Sequence, residues 1–486
     1  MLPYKNLIVI DRNSRQAIYL QVVDGFIQLI KSGQLHADNR LPSSRKLAEL
    51  LMVHRNTITT AYEELEAQGW VNIQAQKGVY VHTNMPKINP QALGLADESS
   101  FHTPNYKFVQ HSLLDLPKGL PTHQFRLDDG VPDVRLAPLK ALGRTYRSLL
   151  NRKWALSALD YQDTFGALAL RKELAKYLQE TRGINLSIDN IMISRGSIMG
   201  LYLAIQTLVE RGDNIAVGQT SYSTVNMMFR HLGANLYPIP VDQDGIVVAE
   251  LSKLCENTKI KAIYIASHHH HPTTATLSAE RRLELLELAR KHQFAILEDD
   301  YDYDFHYRRN PILPLASIDR LQQVVYVGSL SKVLAPAFRV GFVVAAKEVI
   351  EQMGRFRRII DRQGDSILEK AIAELFQLGE IQRHIRKSLG IYQERRDVLC
   401  SCLKASLGSQ ISFDKPEGGM AIWARFDKSI DLIKTAQKAL KKGLYFSDGQ
   451  NYAPNANATR LGFASMNEKE LEQAVDILKK SIILTK

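Results

Sequence analysis

Short runs rich in β-branched and aromatic residues alternate with helical stretches from about residue 190 to residue 345. The six runs are NIMIS, NIAV, KAIYIA, FAILE, VVYVG and VGFVVA. This alternation predicts an α/β fold with a mainly parallel sheet covered by helices. From about Glu348 onward helical patterns dominate, and MAIWARF is a later strand candidate. We therefore expect the large sheet to be followed by a smaller α+β lobe.

The first 83 residues contain three helical patterns followed by two alternating runs. Apolar residues recur at helical spacing over 16–33, and the second pattern, LPSSRKLAELL, begins with the cap candidates Ser43 and Ser44. The third pattern, RNTITTAYEELEAQG, has one apolar face and a polar, basic start on the opposite side. A helix of this kind suits reading of the DNA major groove. The runs WVNIQAQ and KGVYVHT, joined around Lys77 and Gly78, predict a hairpin wing.

A chain of 486 residues is too long for one ordinary core, so about two to four domains are expected. Residues 84–122 contain five prolines, little periodicity and no net charge, and we interpret them as a linker. The expected organisation is a DNA-binding domain at 1–83, this linker, and a second domain at 123–486. The second domain would divide into a large lobe at about 123–350 and a small lobe at about 351–486.

The sequence does not indicate a membrane protein or a disulfide-rich protein. No stretch approaches the roughly 18 uninterrupted apolar residues of a membrane helix, and the N-terminal segment lacks the features of a signal peptide. The three cysteines, Cys255, Cys400 and Cys402, do not have the spacing of a disulfide framework or a zinc site. We expect a cytoplasmic protein with reduced thiols and no membrane association.

The net charge of +11 is consistent with nucleic-acid binding, but its distribution qualifies that interpretation. Residues 1–83 carry nine Lys and Arg against seven Asp and Glu, whereas residues 123–486 carry 50 against 41. Most of the excess therefore lies outside the expected DNA-binding domain and indicates an ordinary basic surface. The alternative is that a basic run also contacts phosphates. That run contains Arg355, Arg357, Arg358 and Arg362.

The segment GSLSKVLAPAFRVG carries the strongest chemical signal, because Lys332 follows Ser329 and Ser331 and precedes Arg339. A lysine held in a pocket can form a Schiff base with an aldehyde, and the hydroxyls and the arginine can bind a phosphate. The alternative is a surface loop with a solvated lysine.

Two further segments support this chemistry. In FAILEDDYDYDF a buried-looking strand ends in acid, which places Asp299 where it can meet a ring nitrogen and Tyr301 where it can meet a ring hydroxyl. In IMISRGSIMGLYLAIQTL, Gly196 permits close backbone approach, and Ser197 with the helix N-terminus supplies an anion site. The alternatives are a solvated acid cluster and an ordinary helix cap.

Four consecutive histidines, His268 to His271, suggest a metal cluster. Consecutive residues in a strand-like run point to alternate sides, so they do not converge on one ion. We therefore expect no metal site.

These segments, together with YQDTFGALALRKELAKYL, GQTSYS, SHHHHPTT and TRLGFAS, resemble fold-type I, class I/II aminotransferases across residues 123–480. The block LPSSRKLAELLMVHRNTITTAYEEL resembles the GntR-type winged helix. Their order in one chain resembles the MocR family of transcription regulators, which use pyridoxal 5'-phosphate (PLP). The resemblance implies a multidomain fold, with an N-terminal winged helix-turn-helix and an α/β aminotransferase domain that ends in a smaller α+β lobe.

The resemblance also implies roles for individual residues. Lys332 would be the catalytic lysine of the internal aldimine, Asp299 would meet the pyridine nitrogen, and Tyr301 the ring hydroxyl. Tyr222 would stack on the cofactor ring, and Arg460 would bind a substrate carboxylate bidentately. The residues around the phosphate would be Gly196, Ser197, Ser329, Ser331 and Arg339. The DNA contacts would come from Arg45, Arg55, Asn56, Thr57 and Thr59, with Lys77 and Gly78 in the wing.

The sequence departs from the family pattern near the expected cofactor site. His271, an expected cofactor contact, stands where catalytic relatives carry an asparagine to the ring hydroxyl, and Thr274 replaces the glycine of a Pro-Thr-Gly turn. Ser223 and Thr224 follow Tyr222 where some amine-sensing relatives carry an arginine. These differences argue against efficient transamination and leave the effector open.

Three functions are therefore considered. The leading hypothesis is a regulator that binds double-stranded operator DNA as a head-to-tail homodimer and senses PLP, an amine or an amino acid through an aldimine at Lys332. The second is a working aminotransferase that carries a DNA-binding module. The third is a DNA-binding repressor whose aminotransferase-like domain is an inactive scaffold. Whether the chain is an enzyme stays open, with the altered turn weighing against it.

Overall fold

The computed structural model describes residues 2–84, 106–114, 124–153, 155–307, 312–453 and 456–485. The chain divides into two compact units, Met1–Val109 and Gln110–Lys486, and each has its own hydrophobic core. Most of the expected linker lies outside the described residues. Of the part that is described, Ser112–Leu114 form a turn of 3-10 helix within the second unit.

The first unit contains four described helices and a two-stranded antiparallel sheet. Their bounds are α1 Tyr4–Leu7, α2 Ile18–Lys31, α3 Ser44–Leu51, α4 Arg55–Ala67, β1 Val71–Gln74 and β2 Gly78–Val81. Ser43 caps α3, because its side chain accepts a hydrogen bond of 3.3 Å from the Lys46 backbone N–H. Phe26, Leu47 and Ile58 come from three different helices and are fully buried. The three expected helices and the wing are confirmed, and α1 is an addition to them.

The second unit has a helical layer on each side of a large sheet. Its helices are α5 Leu139–Leu150, α6 Ala155–Ala158, α7 Leu168–Arg182, α8 Gly196–Leu208, α9 Ser223–Leu232, α10 Val248–Asn257, α11 Ala279–His292, α12 Leu315–Asp319, α13 Lys347–Ile360, α14 Ser366–Gln377, α15 Glu380–Leu407, α16 Leu432–Lys441 and α17 Glu468–Lys479. Its strands are β3 Phe125–Leu127, β4 Ile191–Ser194, β5 Asn214–Gly218, β6 Asn235–Ile239, β7 Val241–Asp242, β8 Gly245–Ile246, β9 Ala262–Ile265, β10 Ala295–Asp300, β11 Val324–Ser329, β12 Gly341–Val344, β13 Ile411–Ser412, β14 Ala421–Phe426, β15 Leu444–Phe446 and β16 Ala458–Gly462. Further 3-10 turns lie at Val134–Leu136, Ile188–Asn190, Pro336–Phe338 and Gly408–Gln410.

Seven strands form the central sheet in the order β4, β12, β11, β10, β9, β5, β6. Neighbours are parallel except at β12, which is antiparallel to both β4 and β11. All six strands expected from the sequence are in this sheet. The seventh, β6, was not expected, because Pro238 and the exposed Asn235 interrupt its apolar pattern; a proline is tolerated there because β6 is an edge strand. The carboxyl ends of β4, β10 and β11 meet at one edge of the sheet, where ligands of α/β folds usually bind.

The smaller lobe contains the antiparallel sheet β13, β14, β16, with the 28-residue helix α15 packed on α17. Strand β15 of this lobe pairs in parallel with β3, which lies far earlier in the chain. The pairing holds residues 128–131, which follow β3, beside the edge of the central sheet. The α+β lobe expected from the sequence is confirmed.

Three arginines of the basic run, Arg355, Arg357 and Arg358, lie on α13, and they do not form one continuous exposed surface. The Arg357 side chain is 0% exposed. Its Nη1 donates a hydrogen bond of 2.8 Å to the Thr164 carbonyl and another to the Ile193 carbonyl, and its Nε pairs with Asp361 at 3.1 Å. For Arg357 both the expected basic surface and the alternative of phosphate contact are wrong, because its guanidinium is buried and donates to backbone carbonyl groups. Within the described ranges, no helix combines the length and apolar character needed to cross a membrane.

Candidate functional site

A cavity of about 220 Å³ lies at the carboxyl edge of the central sheet. It brings together most of the cofactor residues expected from the sequence, which are distant in the chain. Those that line it are Ser197, Tyr222, His271, Asp299, Tyr301, Ser329, Ser331, Lys332 and Arg339. Residues not expected from the sequence complete the lining: Asp129, Val131, Ile198, Tyr264 and Pro336.

Lys332 follows β11 and presents its amine to this cavity. The Nζ atom donates a hydrogen bond to the carbonyl oxygen of Gly130, in the loop after β3. Burial lowers the pKa of the Lys332 amine, while the negative charges of Asp302 and Asp129 oppose that shift. A lysine with a lowered pKa keeps more of its nucleophilic neutral form, as Schiff-base lysines require.

Asp299 lies near the end of β10 and is buried. Its Oδ2 accepts a hydrogen bond of 2.9 Å from the Tyr264 hydroxyl, whereas its Oδ1 is buried with no hydrogen-bond partner. Burial raises the pKa of Asp299 to about 7; the Tyr264 hydrogen bond opposes this, and the neighbouring charge of Asp302 adds to it. A buried carboxyl oxygen without a partner is costly unless a cationic or N–H group meets it.

Small polar groups and one arginine surround the other end of the cavity. Gly196 begins the 13-residue helix α8 with φ +76°, and a Cβ there would lie 2.7 Å from Nη2 of Arg339. Only glycine therefore permits both this backbone conformation and the approach of Arg339. Ser197 is at the same helix N-terminus, and the Ser331 hydroxyl is buried without a hydrogen-bond partner. The arrangement of N–H groups, hydroxyls and a guanidinium suits an anion.

Arg460, on β16, is 1% exposed and lies beside the cavity lining. Its Nη2 is 3.4 Å from the Tyr301 hydroxyl, which itself donates to the His269 carbonyl at 2.8 Å. Tyr301 therefore already has protein partners on both sides. The Nε of Arg460 forms an ion pair of 3.0 Å with Asp129.

His271 packs between two aromatic rings. Its ring centroid is 5.1 Å from that of Tyr222 and 5.4 Å from that of Tyr452, both edge to face. Its Nε2 lies 2.9 Å from Oδ2 of Asp129, and its Nδ1 is buried without a partner. Both His271 and Tyr222 thus lie at the cavity, as expected from the sequence.

The other three histidines of the run point elsewhere. His268 contacts the Ile312 carbonyl, His269 pairs with Asp302 at 2.7 Å, and His270 contacts Thr273 at 3.0 Å. These histidines follow β9 but do not themselves form a strand. Their side chains therefore point apart because the backbone bends and turns, and not because of the alternation along a strand that was expected. Across the described residues, no group of three His, Cys, Asp or Glu side chains is placed to hold a metal ion.

The expected DNA contacts lie on α3, at the start of α4 and at the wing turn of the first unit. Arg55, Asn56, Thr57 and Thr59 occupy the first turns of α4, Arg45 lies on α3, and Lys77 and Gly78 lie at the wing turn. Most of these side chains are exposed, although Thr57 is partly buried. The Thr59 hydroxyl donates to the Arg55 carbonyl at 3.2 Å, so part of its capacity is used within the helix.

Two of the five unexpected lining residues, Tyr264 and Asp129, carry polar side chains that sequence reasoning missed. Tyr264 is an internal residue of a buried strand, and nothing in its local pattern distinguishes it from a core tyrosine. Asp129 had a weak signal, since it belongs to the acidic pair in LDDG after a short apolar run. The three-residue strand β3 was too short to be recognised, so that pair was not placed at the sheet edge.

Comparison with known proteins agrees with the fold. Residues 147–478 match the family Aminotransferase class I and II, and residues 18–81 match Bacterial regulatory proteins, gntR family. The HTH-type transcriptional regulator YdfD of Bacillus subtilis is 30% identical over 463 residues, which cover 94% of each chain. The probable rhizopine catabolism regulatory protein MocR of Rhizobium meliloti is 25% identical, over 98% of this chain and 96% of its own. The crystal structure of a multiple substrate aminotransferase from Thermococcus profundus superposes with a TM-score of 0.69 at 28% identity, over 74% of this chain and 92% of its own.

The fold and these relatives define a transcriptional regulator that joins a GntR-type helix-turn-helix domain to a domain with the fold of PLP-dependent aminotransferases. The chain belongs to the MocR family of such regulators. The resemblance found in the sequence is thereby confirmed.

Proposed function

We propose that this regulator binds PLP covalently through Lys332 and that an amine or amino acid, or PLP itself, changes its affinity for double-stranded operator DNA. The observation that carries the proposal is the buried carboxyl of Asp299. It lines the same cavity as the Lys332 amine and has one oxygen without a partner.

The cavity fits PLP on three independent grounds. The unpartnered Oδ1 of Asp299 can accept a hydrogen bond from a protonated pyridine nitrogen, which would also hold the carboxyl in its charged form. The N-terminus of α8, the unpartnered hydroxyl of Ser331 and Arg339 can hold a phosphate dianion. The buried amine of Lys332 can react with an aldehyde. When bound, PLP supplies that aldehyde and a ring that withdraws electrons from the attached amine.

The chain's own residues account for the remaining contacts. Tyr222 presents a partly buried ring at the cavity, and the unpartnered Nδ1 of His271 can contact a ring hydroxyl. Tyr301 was expected to meet that hydroxyl as well. The Tyr301 hydroxyl already contacts Arg460 and the His269 carbonyl. We therefore assign Tyr301 mainly to positioning Arg460 and the backbone at His269.

An effector can shift a regulator only if it binds two states of the protein differently. An amine that took the place of the Lys332 amine on the cofactor would leave the Lys332 amine free to donate to the Gly130 carbonyl, as it does here. That difference is a source of coupling energy to the loop after β3. We further propose that the protein is a head-to-tail homodimer, with domains at 1–83 and 123–486 joined by the linker 84–122. In such a dimer the change at the cofactor would affect the spacing of the two DNA-binding domains, and therefore the half-site spacing that they fit on DNA.

A second candidate is an active aminotransferase that carries a DNA-binding module. Two observations favour this candidate. Lys332 and Asp299 line one cavity with Arg460 next to it, and the second unit is similar to solved aminotransferases. Two observations weigh against it. Arg460 is already paired with Asp129, and His271 stands in place of the asparagine of catalytic relatives. Turnover with any amino donor and keto acid would support this candidate.

The test measures cofactor binding and DNA binding in the same preparations. Purified protein, Lys332→Ala and the control Lys347→Ala are titrated with PLP while the near-ultraviolet and visible absorption is recorded. Lys347 is suited as the control because it is exposed and pairs with Asp189 on the protein surface. Binding to DNA selected by the protein from a random-sequence pool is then measured with and without PLP and a panel of amines.

We expect the wild type and Lys347→Ala to show the absorption of covalently held PLP and a DNA affinity that depends on PLP or an amine. Lys332→Ala should lack both properties. DNA binding that is the same in every condition and variant, with no cofactor absorption, would overturn the proposal in favour of the scaffold repressor.

A further inference from the structure

Each guanidinium nitrogen of Arg460 has a protein oxygen as neighbour. Nη1 donates to the Pro272 carbonyl at 3.3 Å and Nη2 to the Tyr301 hydroxyl at 3.4 Å. Nε is 3.0 Å from the Asp129 carboxylate, an ion pair that lacks the geometry of a hydrogen bond. The side chain is 1% exposed. A carboxylate from outside that approached Arg460 as a bidentate partner would therefore have to compete with Asp129 for the guanidinium.

Of the three groups next to Arg460, Asp129 is the one with a carboxylate, the group that a ligand would bring. It follows β3 in the loop that also supplies the Gly130 carbonyl to Lys332. Its carboxylate contacts both Arg460 and His271 and is two-fifths exposed while lining the cavity. Burial raises the pKa of Asp129, but the charge and hydrogen bond of His271 and the charge of Arg460 outweigh that effect, so the pKa lies below its ordinary range. The group is a carboxylate at neutral pH.

The remaining cations of the cavity are committed to other groups. Among the described residues, the Lys and Arg side chains that line it are Lys332 and Arg339. In the proposed function Lys332 bonds the cofactor and Arg339 holds its phosphate, while His271 pairs with Asp129. Neither of these two cations is then free for a ligand carboxylate. If the ligand took Arg460 from Asp129, one ion pair would replace another and Asp129 would keep only its contact with His271, so the exchange would add little affinity.

We propose that Asp129 is an internal carboxylate that occupies Arg460 in place of a ligand's carboxylate, and that the effector of this regulator is consequently a primary amine without an α-carboxylate. The inference rests on the proposed function, since it names the class of ligand that meets the cofactor. Asp129 acts as the specificity-determining residue of the site. The ring of Tyr222 lines the cavity beside His271 and offers apolar contact to the carbon chain of the amine.

The experiment compares amino acids with the amines formed by removing their carboxylate. PLP-loaded wild-type protein is titrated with phenylalanine and phenethylamine, with lysine and cadaverine, and with alanine and ethylamine. Binding is followed by the absorption of the bound cofactor and independently by calorimetry. The same titrations are made with Asp129→Asn, with Asp129→Asn combined with Arg460→Gln, and with the control Asp163→Asn. Asp163 is suitable because it pairs with Arg171 at 2.9 Å outside the cavity and is 47% exposed.

In the wild type and Asp163→Asn, we expect at least one amine to bind at least about tenfold more tightly than its amino acid. Asp129→Asn should leave Arg460 without its charge partner, so the amino acid should gain about tenfold or more in affinity, and Arg460→Gln should abolish the gain. The comparison within the wild type needs no variant and stands if Asp129→Asn does not fold.

Equal or tighter binding of the amino acids by the wild type, or no binding of any amine, would overturn the inference while leaving cofactor binding intact. An unchanged preference in folded Asp129→Asn would also overturn it. Absence of cofactor absorption in the starting protein would overturn the proposed function itself, and the two failures are thereby distinguished.

Discussion

The Tyr264 hydroxyl donates a hydrogen bond of 2.9 Å to Oδ2 of Asp299. Tyr264 is in the middle of β9 and Asp299 near the end of the adjacent strand β10, so the register of the two strands creates the contact. The bond leaves Oδ1 of Asp299 as the atom available to a ligand. It also opposes the upward shift that burial imposes on the pKa of Asp299.

Tyr264→Phe should weaken binding of PLP. Without the hydroxyl, the pKa of Asp299 rises further and the neutral carboxyl is a poorer partner for a protonated ring nitrogen. A hydrogen bond of this kind contributes about 1 kcal/mol, which is roughly a fivefold loss of affinity in an absorption titration with PLP. Tyr237→Phe, in strand β6 of the same sheet, is the control. Equal affinities in the two variants would contradict the role given to Tyr264.

Asp299→Asn should stabilise the cofactor-free protein at neutral and alkaline pH. The folded-state pKa of about 7 lies above the ordinary value of 3.8, so the folded protein holds the proton more tightly than the unfolded chain does. The contribution of Asp299 to the free energy of unfolding therefore falls as pH rises from about 4 to about 7 and is level above that window.

The advantage of Asp299→Asn should accordingly grow through this pH window, by about 4 kcal/mol in all. Thermal unfolding of both proteins without PLP, in steps between about pH 5 and pH 8, measures it. An advantage that grows toward acid pH would have the wrong sign for a carboxyl with a raised pKa. With PLP bound, the variant should lose its advantage, because Asn cannot balance a protonated ring nitrogen.

Thr274→Gly should stabilise the turn that follows the four histidines. Thr274 has φ +60°, in the left-handed region that a β-branched residue enters at a cost of about 1–2 kcal/mol. Glycine removes this strain but gains more freedom in the unfolded chain, so the expected net effect is about +1 kcal/mol or less. Thr274→Val keeps the β-branch and should show no such gain. Thermal unfolding of the three proteins gives the comparison, and a loss of stability in Thr274→Gly would contradict it.

Arg55→Ala should reduce DNA binding without changing PLP binding. Arg55 is exposed at the first position of α4, the helix expected to read DNA, and its Nε lies 3.4 Å from the Ser44 hydroxyl of α3. Removal of one base-contacting or phosphate-contacting arginine should cost about 1–3 kcal/mol, or roughly tenfold in affinity. Fluorescence anisotropy with labelled DNA at several salt concentrations measures both affinity and salt dependence.

Lys253→Ala, in helix α10 of the second unit, removes the same charge from an exposed position and serves as the control for Arg55→Ala. An equal loss of DNA affinity in both variants would indicate a nonspecific effect of net charge and would contradict the role of Arg55.

Much of the fold and part of the site could be predicted from local patterns. The helices of the first unit follow from apolar residues at helical spacing, and Ser43 is the cap that its position before α3 indicated. The six β-rich runs are all strands of one sheet. Lys332 and Asp299 were found because each lies within a short segment that carries its own chemistry. The interpretation of Arg357 failed because a run of arginines in sequence does not show which of them the next layer of structure buries.

The sequence by itself determined the order of the two units, the strands that build the central sheet, and the lysine and carboxyl that face the cavity. Each depends on neighbouring residues, since hydrophobic periodicity and side-chain chemistry act over a few positions of the chain. Only the tertiary structure decided that Asp129 holds Arg460 and that Tyr264 holds Asp299. These pairs join separate strands and loops, and their geometry arises from strand register and from the packing of the small lobe against the sheet edge, which no local pattern encodes.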